Sequence, residues 1–242
     1  MRRCCFGVVV LAMISWSGTA SATWSVVAVD PVTGEAGGAA ATCTPWAAAI
    51  IGVVPGKGVI VTQAQSNKTA RRLGEKLLQE DMPPSAIIAA ITHPEFDPNY
   101  NRQQHGIASL VAGGRTAGFT GRRTAAYTGD LQGTHVSVQG NILTGLDVLT
   151  AGLEAFEAAE NDPENTFADR LLKALEAGAE KGGDRRCGDQ TALSAYLVVY
   201  EKDDPPGQPS LEFSASQLIR GGESAVKLLR EKYDCFRQEK TE

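Results

Sequence analysis

Histidine and cysteine, the side chains that hold most protein-bound zinc, are scarce in this chain. Its three histidines, His93, His105 and His135, stand far apart, and none of its five cysteines lies in a C-x-x-C pair. A structural zinc site needs several such ligands at close spacing. We therefore expect no metal site, and no motif indicates another cofactor.

Motifs for nucleotide binding and for serine hydrolysis are also missing. The glycines from Gly113 to Gly121 lack the G-x-G-x-x-G spacing of a dinucleotide-binding turn. Ser109, Ser137 and Ser194 have no G-x-S-x-G context, which the nucleophile of an α/β-hydrolase requires. These absences argue against a dinucleotide-binding turn and against the catalytic triad of an α/β-hydrolase.

Long apolar runs are absent after position 22, and residues 1–22 have the three parts of a secretory signal peptide. Arg2 and Arg3 form the positive region, 6–14 is the apolar core, and Ala20-Ser21-Ala22 is a small-x-small cleavage pattern. The arginine pair also fits twin-arginine export, but Phe6 stands one position late for that signal, which favours the general secretory route. A membrane helix needs ~20 apolar residues. We expect a periplasmic or secreted protein without membrane contact after cleavage.

Positive charge is in short supply. Removing 22 of the 242 residues leaves 220, with 21 Lys and Arg against 28 Asp and Glu, a net charge of −7. This balance argues against nucleic acid as a partner. The mature length suits one domain, which we place at residues 23–236, followed by a solvated tail at 237–242. The sequence leaves the oligomeric state open, and a homodimer is one option.

Cleavage after Ala22 would leave Thr23 as the new N-terminus. A terminal threonine carries a hydroxyl nucleophile and an α-amine whose pKa of roughly 8 suits a general base. The strand-like segment TWSVVAVD begins at this residue. The sequence therefore raises the hypothesis of an N-terminal nucleophile, although signal cleavage must leave some residue first and Thr23 could stand there by chance.

The periodicity of the apolar residues predicts an α+β fold. Alternating or buried-strand patterns and helical stripes follow one another as strands, two helices, strands, two helices and a strand. This order suits helices covering the outer faces of two stacked sheets. The predicted strands are 23–30, 35–42, 47–54 and 58–62 as one meander, then 106–111, 116–120, 136–139, 193–200 and 210–213. The predicted helices are 67–80, 86–91, 146–159, 166–180 and 222–236.

Polar residues at the ends of these elements are candidates for a site. Asn141 follows a strand and could hold an oxyanion, or it could cap the next helix. Asp184 and Arg186 lie in a tight loop that could clamp a substrate carboxylate, or they could pair with each other to hold that loop. Asn67 stands in TQAQSN, where a pocket or a helix cap would fit, and Asp30 fits a turn.

Three cysteines remain after cleavage, because Cys4 and Cys5 lie in the signal. They are Cys43, Cys187 and Cys235. An exported chain meets an oxidising compartment, so we expect one disulfide and one remaining thiol. These residues alone do not select the pair.

Several segments taken together resemble one family, the domain of unknown function 1028, whose members look like N-terminal-nucleophile hydrolases. The segments, in chain order, are TWSVVAVDPVTGEAGGAAATC, VIVTQAQSN, AAYTG, VSVQGNIL and GGDRRC. The resemblance runs from Thr23 to about Val199 and implies a four-layer αββα sandwich. This chain departs from the family pattern at Trp24 and Thr42, and neither change touches Thr23.

The resemblance also carries over individual residues. It matches Thr23 to the family's N-terminal threonine, and it matches a further set of polar positions, namely Asp30, Asn67, Gln139, Gly140, Asn141, Asp184 and Arg186. Exported relatives look to carry cysteines at the places of Cys43 and Cys187. The resemblance therefore implies that these two form the disulfide, with Cys187–Cys235 as the rival pairing.

Two functions stay open at this point. The first is an exported hydrolase that cleaves a small-molecule or peptide-like amide, with Thr23 as nucleophile, Asn141 at the oxyanion, and Asn67, Asp184 and Arg186 binding substrate. The second is a non-catalytic exported protein that uses the same cleft for a small anionic ligand.

Overall fold

The computed structural model describes residues 23–241. The predicted signal peptide, residues 1–22, lies outside the described residues. Residues 23–241 form ten strands, β1 (Thr23–Val29), β2 (Ala36–Thr42), β3 (Ile51–Val54), β4 (Gly58–Ala64), β5 (Gln103–Ser109), β6 (Arg115–Thr120), β7 (Gly129–Gln132), β8 (Val136–Asn141), β9 (Ser194–Tyr200) and β10 (Leu211–Ala215). They also form five α-helices, α1 (Lys68–Gln79), α2 (Pro84–Ile91), α3 (Asp147–Glu160), α4 (Phe167–Glu180) and α5 (Ala225–Thr241).

The strands make two antiparallel sheets. One sheet has six strands in the order β10-β9-β2-β1-β8-β7, and the other has four in the order β3-β4-β5-β6. β1 therefore lies inside the larger sheet, with β2 on one side and β8 on the other. Neighbouring strands in both sheets run in opposite directions.

Alternation along β1 explains how the larger sheet is covered on both faces. Trp24, Val26 and Ala28 pack into the core beneath α3 and α4, and the indole N–H of Trp24 donates to Leu175 O at 3.2 Å. Val27 and Val29 point the other way, into the core between the two sheets. A strand buried on both faces is expected to be apolar at successive positions, as residues 26–29 are.

The smaller sheet is covered by the other helix pair. Ile60 of β4 and Ile107 of β5 pack with Leu78 of α1 and Ile87 of α2. The layers are thus α3 and α4 with α5, the six-stranded sheet, the four-stranded sheet, and α1 with α2. The predicted four-layer αββα sandwich is confirmed.

The predicted opening meander is wrong in its pairing. β1 and β2 pair with each other, but β3 and β4 belong to the second sheet. The edge of β2 that faces away from β1 pairs with β9, with Ala36 opposite Tyr200 and Thr42 opposite Ser194. Because that edge is filled, the chain after Thr42 crosses to the other sheet before it forms β3.

Other elements also differ from the prediction, among them one missed strand and the end of the last helix. β7 was missed because its GDLQ sequence carries no apolar alternation, and it lies partly exposed at a sheet edge. The last helix was predicted to end at Phe236, with residues 237–242 as a tail, but α5 continues to Thr241. Residues 237–240 are exposed as predicted, yet they are helical, and Lys240 Nζ lies 4.6 Å from the centre of the Phe236 ring.

Candidate active site

Thr23 is the first residue of β1 and lies opposite a residue of each neighbouring strand. Its register partners are Thr42 at the end of β2 and Asn141 at the end of β8. The residue is 2% exposed. Since side chains alternate along a strand, Thr23 and Ser25 share the face of Val27, which points into the space between the sheets.

Polar side chains replace apolar ones in the inter-sheet space at this end of β1. The larger sheet contributes Ser25, Gln139 and Asn141, and the smaller sheet contributes Gln63 and Gln104, all of them buried. Buried polar groups are stable only when they are hydrogen-bonded. We call these five residues the polar cluster.

The polar cluster is a continuous chain of hydrogen bonds. Ser25 Oγ donates to Gln63 Oε1 at 2.7 Å, and Gln63 Nε2 donates to Gln104 Oε1 at 2.8 Å and to Thr23 O at 3.3 Å. Gln139 Nε2 donates to Ser25 Oγ at 2.7 Å. The backbone of Thr23 is therefore held directly by a side chain of the opposite sheet.

A glycine makes room for this crossing. A Cβ placed on Gly106 of β5 would collide with Oε1 of Gln139. Only a residue without a side chain lets Gln139 extend toward the smaller sheet at this point.

Asn141 has one polar atom paired and one unpaired. Its Nδ2 donates to Gln104 Oε1 at 3.2 Å, whereas its Oδ1 is buried without a hydrogen-bond partner in the part of the chain that the structure describes. The predicted capping alternative does not hold, because no side chain caps the next helix, α3, which begins at Asp147. Asn141 thus lies where the sequence placed it, beside Thr23.

Asp184 and Arg186 form the ion pair that was the alternative reading of their loop. Asp184 is fully buried, and its carboxylate accepts from Arg186 Nη2 at 2.7 Å and from Cys43 N at 2.7 Å. The side chain of Arg186 is 27% exposed. Because Cys43 follows Thr42, this pair fastens the loop to the strand end that faces Thr23.

The same loop is fastened covalently. Cys43 and Cys187 form a disulfide with Cα atoms 5.8 Å apart. This confirms the pairing that the family resemblance implied, and it rules out the rival pairing of Cys187 with Cys235. Cys235 is an exposed free thiol on α5.

Asn67 and Asp30 have contacts outside the polar cluster. Asn67 caps α1 by accepting from the backbone of Thr69 at 2.8 Å, and its Nδ2 donates to Asp97 at 2.6 Å. Asp30 directly follows β1, where it holds a turn through Val32 N and forms a partly buried ion pair with Arg170 at 2.9 Å. These contacts lie in the turn that the sequence predicted for Asp30.

The buried histidine lies on the opposite face of β5 from the polar cluster. His105 is next to Gln104 in sequence, its ring stacks with Phe119, and its Nε2 lies 3.2 Å from Gln103 Oε1. Burial lowers its pKa to about 4, and nearby Asp97 opposes that change only in part. His105 is therefore neutral near pH 7 and lies outside the site.

Among residues 23–241, no cluster of His, Cys, Asp or Glu has the composition of a metal site.

Sequence reasoning missed Ser25 and Gln104. The predicted strand starts at residue 106, so it leaves out Gln104, although β5 begins at Gln103. The only sequence signal was the pair of glutamines directly before an apolar strand, but glutamine has no preference that marks it as a site residue.

The helices among residues 23–241 include none with the length and apolar composition of a membrane span.

Comparisons with known proteins give one family. The model of a family of unknown function, DUF1028, matches residues 23–215. The chain is similar to the crystal structure of a DUF1028 protein from Silicibacter pomeroyi, with 26% identity and a TM-score of 0.72 over 88% of this chain and 85% of that one. Structures of BPH from Thiobacillus denitrificans, alone and in complex with epoxomicin, each show 17% identity and a TM-score of 0.39; they cover 76% and 75% of this chain and 100% of their own. No curated protein matches.

Proposed function

The chain belongs to the DUF1028 family, and from that premise we propose that it is an exported N-terminal-nucleophile hydrolase that cleaves an amide or a related C–N bond. The observation that carries this proposal is the position of Thr23. It stands at the start of an internal strand, opposite Asn141, with buried polar side chains of both sheets around it. The family match begins at this same residue, which signal cleavage would expose.

The chemistry needs only groups that a terminal threonine brings. The α-amine takes the proton of the Thr23 hydroxyl while Oγ1 attacks the carbonyl carbon of the amide. The C–N bond then breaks, the amine passes its proton to the leaving nitrogen, and an ester remains on Oγ1. Water cleaves that ester in the reverse sense and restores the hydroxyl.

The negative charge on the carbonyl oxygen needs a donor during attack. Asn141 Nδ2 has two N–H bonds and uses one on Gln104, so its second N–H can face the oxyanion. Asp184 forms an ion pair with Arg186 and so fixes the loop that contains both residues. We propose that this loop borders the site and that Arg186 orients an anionic part of the substrate. A role for Asn67 in substrate binding stays a prediction. The contacts of its side chain are with the start of α1, which it caps, and with Asp97.

A non-catalytic binding protein is the competing function. Fold does not determine activity, and an exported sandwich could use the same cleft for a small anion. The Asp184–Arg186 pair beside Thr42 suits such a ligand as well as it suits a substrate. The two functions differ in one requirement, because only the hydrolase needs a free N-terminus at Thr23.

The deciding experiment combines mass spectrometry with a panel of amides. The exported protein should have the intact mass of a chain that begins at Thr23, and incubation with its substrate should leave an acyl adduct on that residue. Thr23→Ala should lose the adduct and turnover, whereas the matched control Thr23→Ser should keep both. A terminus at another residue, or undiminished turnover in Thr23→Ala, would refute the proposal.

A further inference from the structure

Gln104 connects the polar side chains of the two sheets within the polar cluster. It is fully buried in β5, and its Oε1 accepts from Gln63 Nε2 at 2.8 Å and from Asn141 Nδ2 at 3.2 Å. These two partners lie on either side of Thr23, one holding its carbonyl and the other opposite it in the strand register. One side chain thus contacts both of the amides that border the nucleophile.

The orientation of the Gln104 amide is fixed by backbone atoms. Its Nε2 lies 2.9 Å from Gly129 O and 2.9 Å from Gly140 O. Carbonyl oxygens can only accept, so the nitrogen must face them and the oxygen must face the site. The amide cannot turn over without placing its own oxygen against two carbonyls.

This fixed oxygen determines the orientation of its neighbours. Gln63 and Asn141 must both present N–H groups to Gln104 Oε1. Gln63 gives an independent check, because its Oε1 accepts from Ser25 Oγ at 2.7 Å and its Nε2 donates to Thr23 O. Both contacts require the same orientation that Gln104 requires.

For Asn141 the consequence is a buried acceptor that has no partner of its own in the described part of the chain. With Nδ2 committed to Gln104, its Oδ1 is buried and unpaired among residues 23–241. Asn141 and Thr23 are register partners on one face of the sheet, where opposite residues are about 5 Å apart. The new α-amine of a chain that begins at Thr23 would bring N–H donors within reach of this oxygen.

We propose that Gln104 is a positioning residue, which holds Asn141 so that Asn141 Oδ1 accepts a hydrogen bond from the α-amine of mature Thr23. The inference rests on the proposed function in requiring that terminus. The hydrogen bond turns the amine so that its lone pair can reach the Thr23 hydroxyl, and it stabilises the charged ammonium form. Gln104 acts through the two amides that it orients, Asn141 at the amine and Gln63 at the Thr23 carbonyl, and it touches no reacting atom.

The charged groups near this end of β1 also act on the amine. They are the Asp184–Arg186 pair behind Cys43, and Asp130 of β7, which accepts from Thr120 next to Gln104. Gln104 bonds to none of these charged side chains itself, although Thr120 connects it to Asp130. A pKa change that the Gln104 and Asn141 variants share would therefore report the Asn141 contact, because Asn141→Leu leaves Thr120 in place.

The test measures the pKa of the α-amine by competitive amine labelling across pH, read by mass spectrometry of the N-terminal peptide. Removing an acceptor disfavours the ammonium, so Gln104→Met and Asn141→Leu should each lower this pKa by about one pH unit. The double variant should lower it no further than either single one, because both changes remove the same hydrogen bond. The matched control is Gln103→Met, a buried glutamine on the opposite face of the same strand, which should leave the pKa unchanged.

The outcomes separate this inference from the proposed function. A lowered pKa without turnover on any amide would support the positioning role and count against the hydrolase. An unchanged pKa in a folded Gln104→Met protein that still turns over substrate, or additive shifts in the double variant, would overturn the positioning role alone. A chain that does not begin at Thr23 would overturn both. If Gln104→Met does not fold, Asn141→Leu against Gln103→Met tests the acceptor by itself.

Discussion

Removing the Cys43–Cys187 disulfide should lower the free energy of unfolding by up to about 5 kcal/mol. The two cysteines are 144 positions apart, and cross-linking a loop of that length restricts the unfolded chain by roughly this amount. The folded state loses little, because Cys43 N remains bonded to Asp184 and Thr42 remains paired with Ser194. The expected loss therefore arises mainly in the unfolded state.

The assay is equilibrium unfolding in urea of the mature protein and of a Cys43→Ala/Cys187→Ala variant. The midpoint should fall, and the dependence on urea should steepen slightly as the unfolded chain becomes less compact. Cys235→Ala is the matched control, because that thiol is exposed and outside the disulfide. A loss below about 1 kcal/mol, or an equal loss in the control, would refute the chain-entropy reasoning.

Three further substitutions test other contacts. Asp30→Asn keeps the turn acceptor but leaves the partly buried Arg170 without its carboxylate. Urea unfolding should show a loss of about 3 kcal/mol, against about 0–1 for the exposed Asp81→Asn. Gly106→Ala should displace Gln139, lowering the melting temperature and any turnover together. As the pH falls from 6.5 to about 4, the free energy of unfolding should decrease, because His105 gains a proton in the unfolded chain but not in the buried native ring. His105→Leu should make the free energy of unfolding less dependent on pH over this range. An unchanged pH dependence in that variant would contradict the assignment to His105.

The layers of the fold were predictable because they depend on apolar periodicity. α3 and α4 were placed within a residue or two, since each carries an apolar stripe that must face a sheet. Pairing was not predictable to the same degree. Whether β3 continues the first sheet depends on β9 taking the edge of β2, and β9 lies more than 140 residues further along the chain.

The candidate site was predictable only in part, for a related reason. Thr23 is marked by a processing signal and Asn141 by its family motif, so the sequence points to both. Gln104 has no such mark, and its importance comes from the two backbone carbonyls that fix its amide. Asp184 and Arg186 show the reverse case, because residue types that suit anion binding are here joined in an ion pair.

The inter-sheet face of β1 changes character along its length, from Thr23 and Ser25 at one end to Val27 and Val29 at the other. All four residues are equally inaccessible, so burial would not separate them in a mutational scan. The response would separate them instead. Substitutions at Val27 and Val29 should lower the melting temperature in a thermal-shift screen, whereas substitutions at Thr23 and Ser25 should lower turnover. The two ends of one strand would thus tolerate different substitutions, and a different assay would detect the effect at each end.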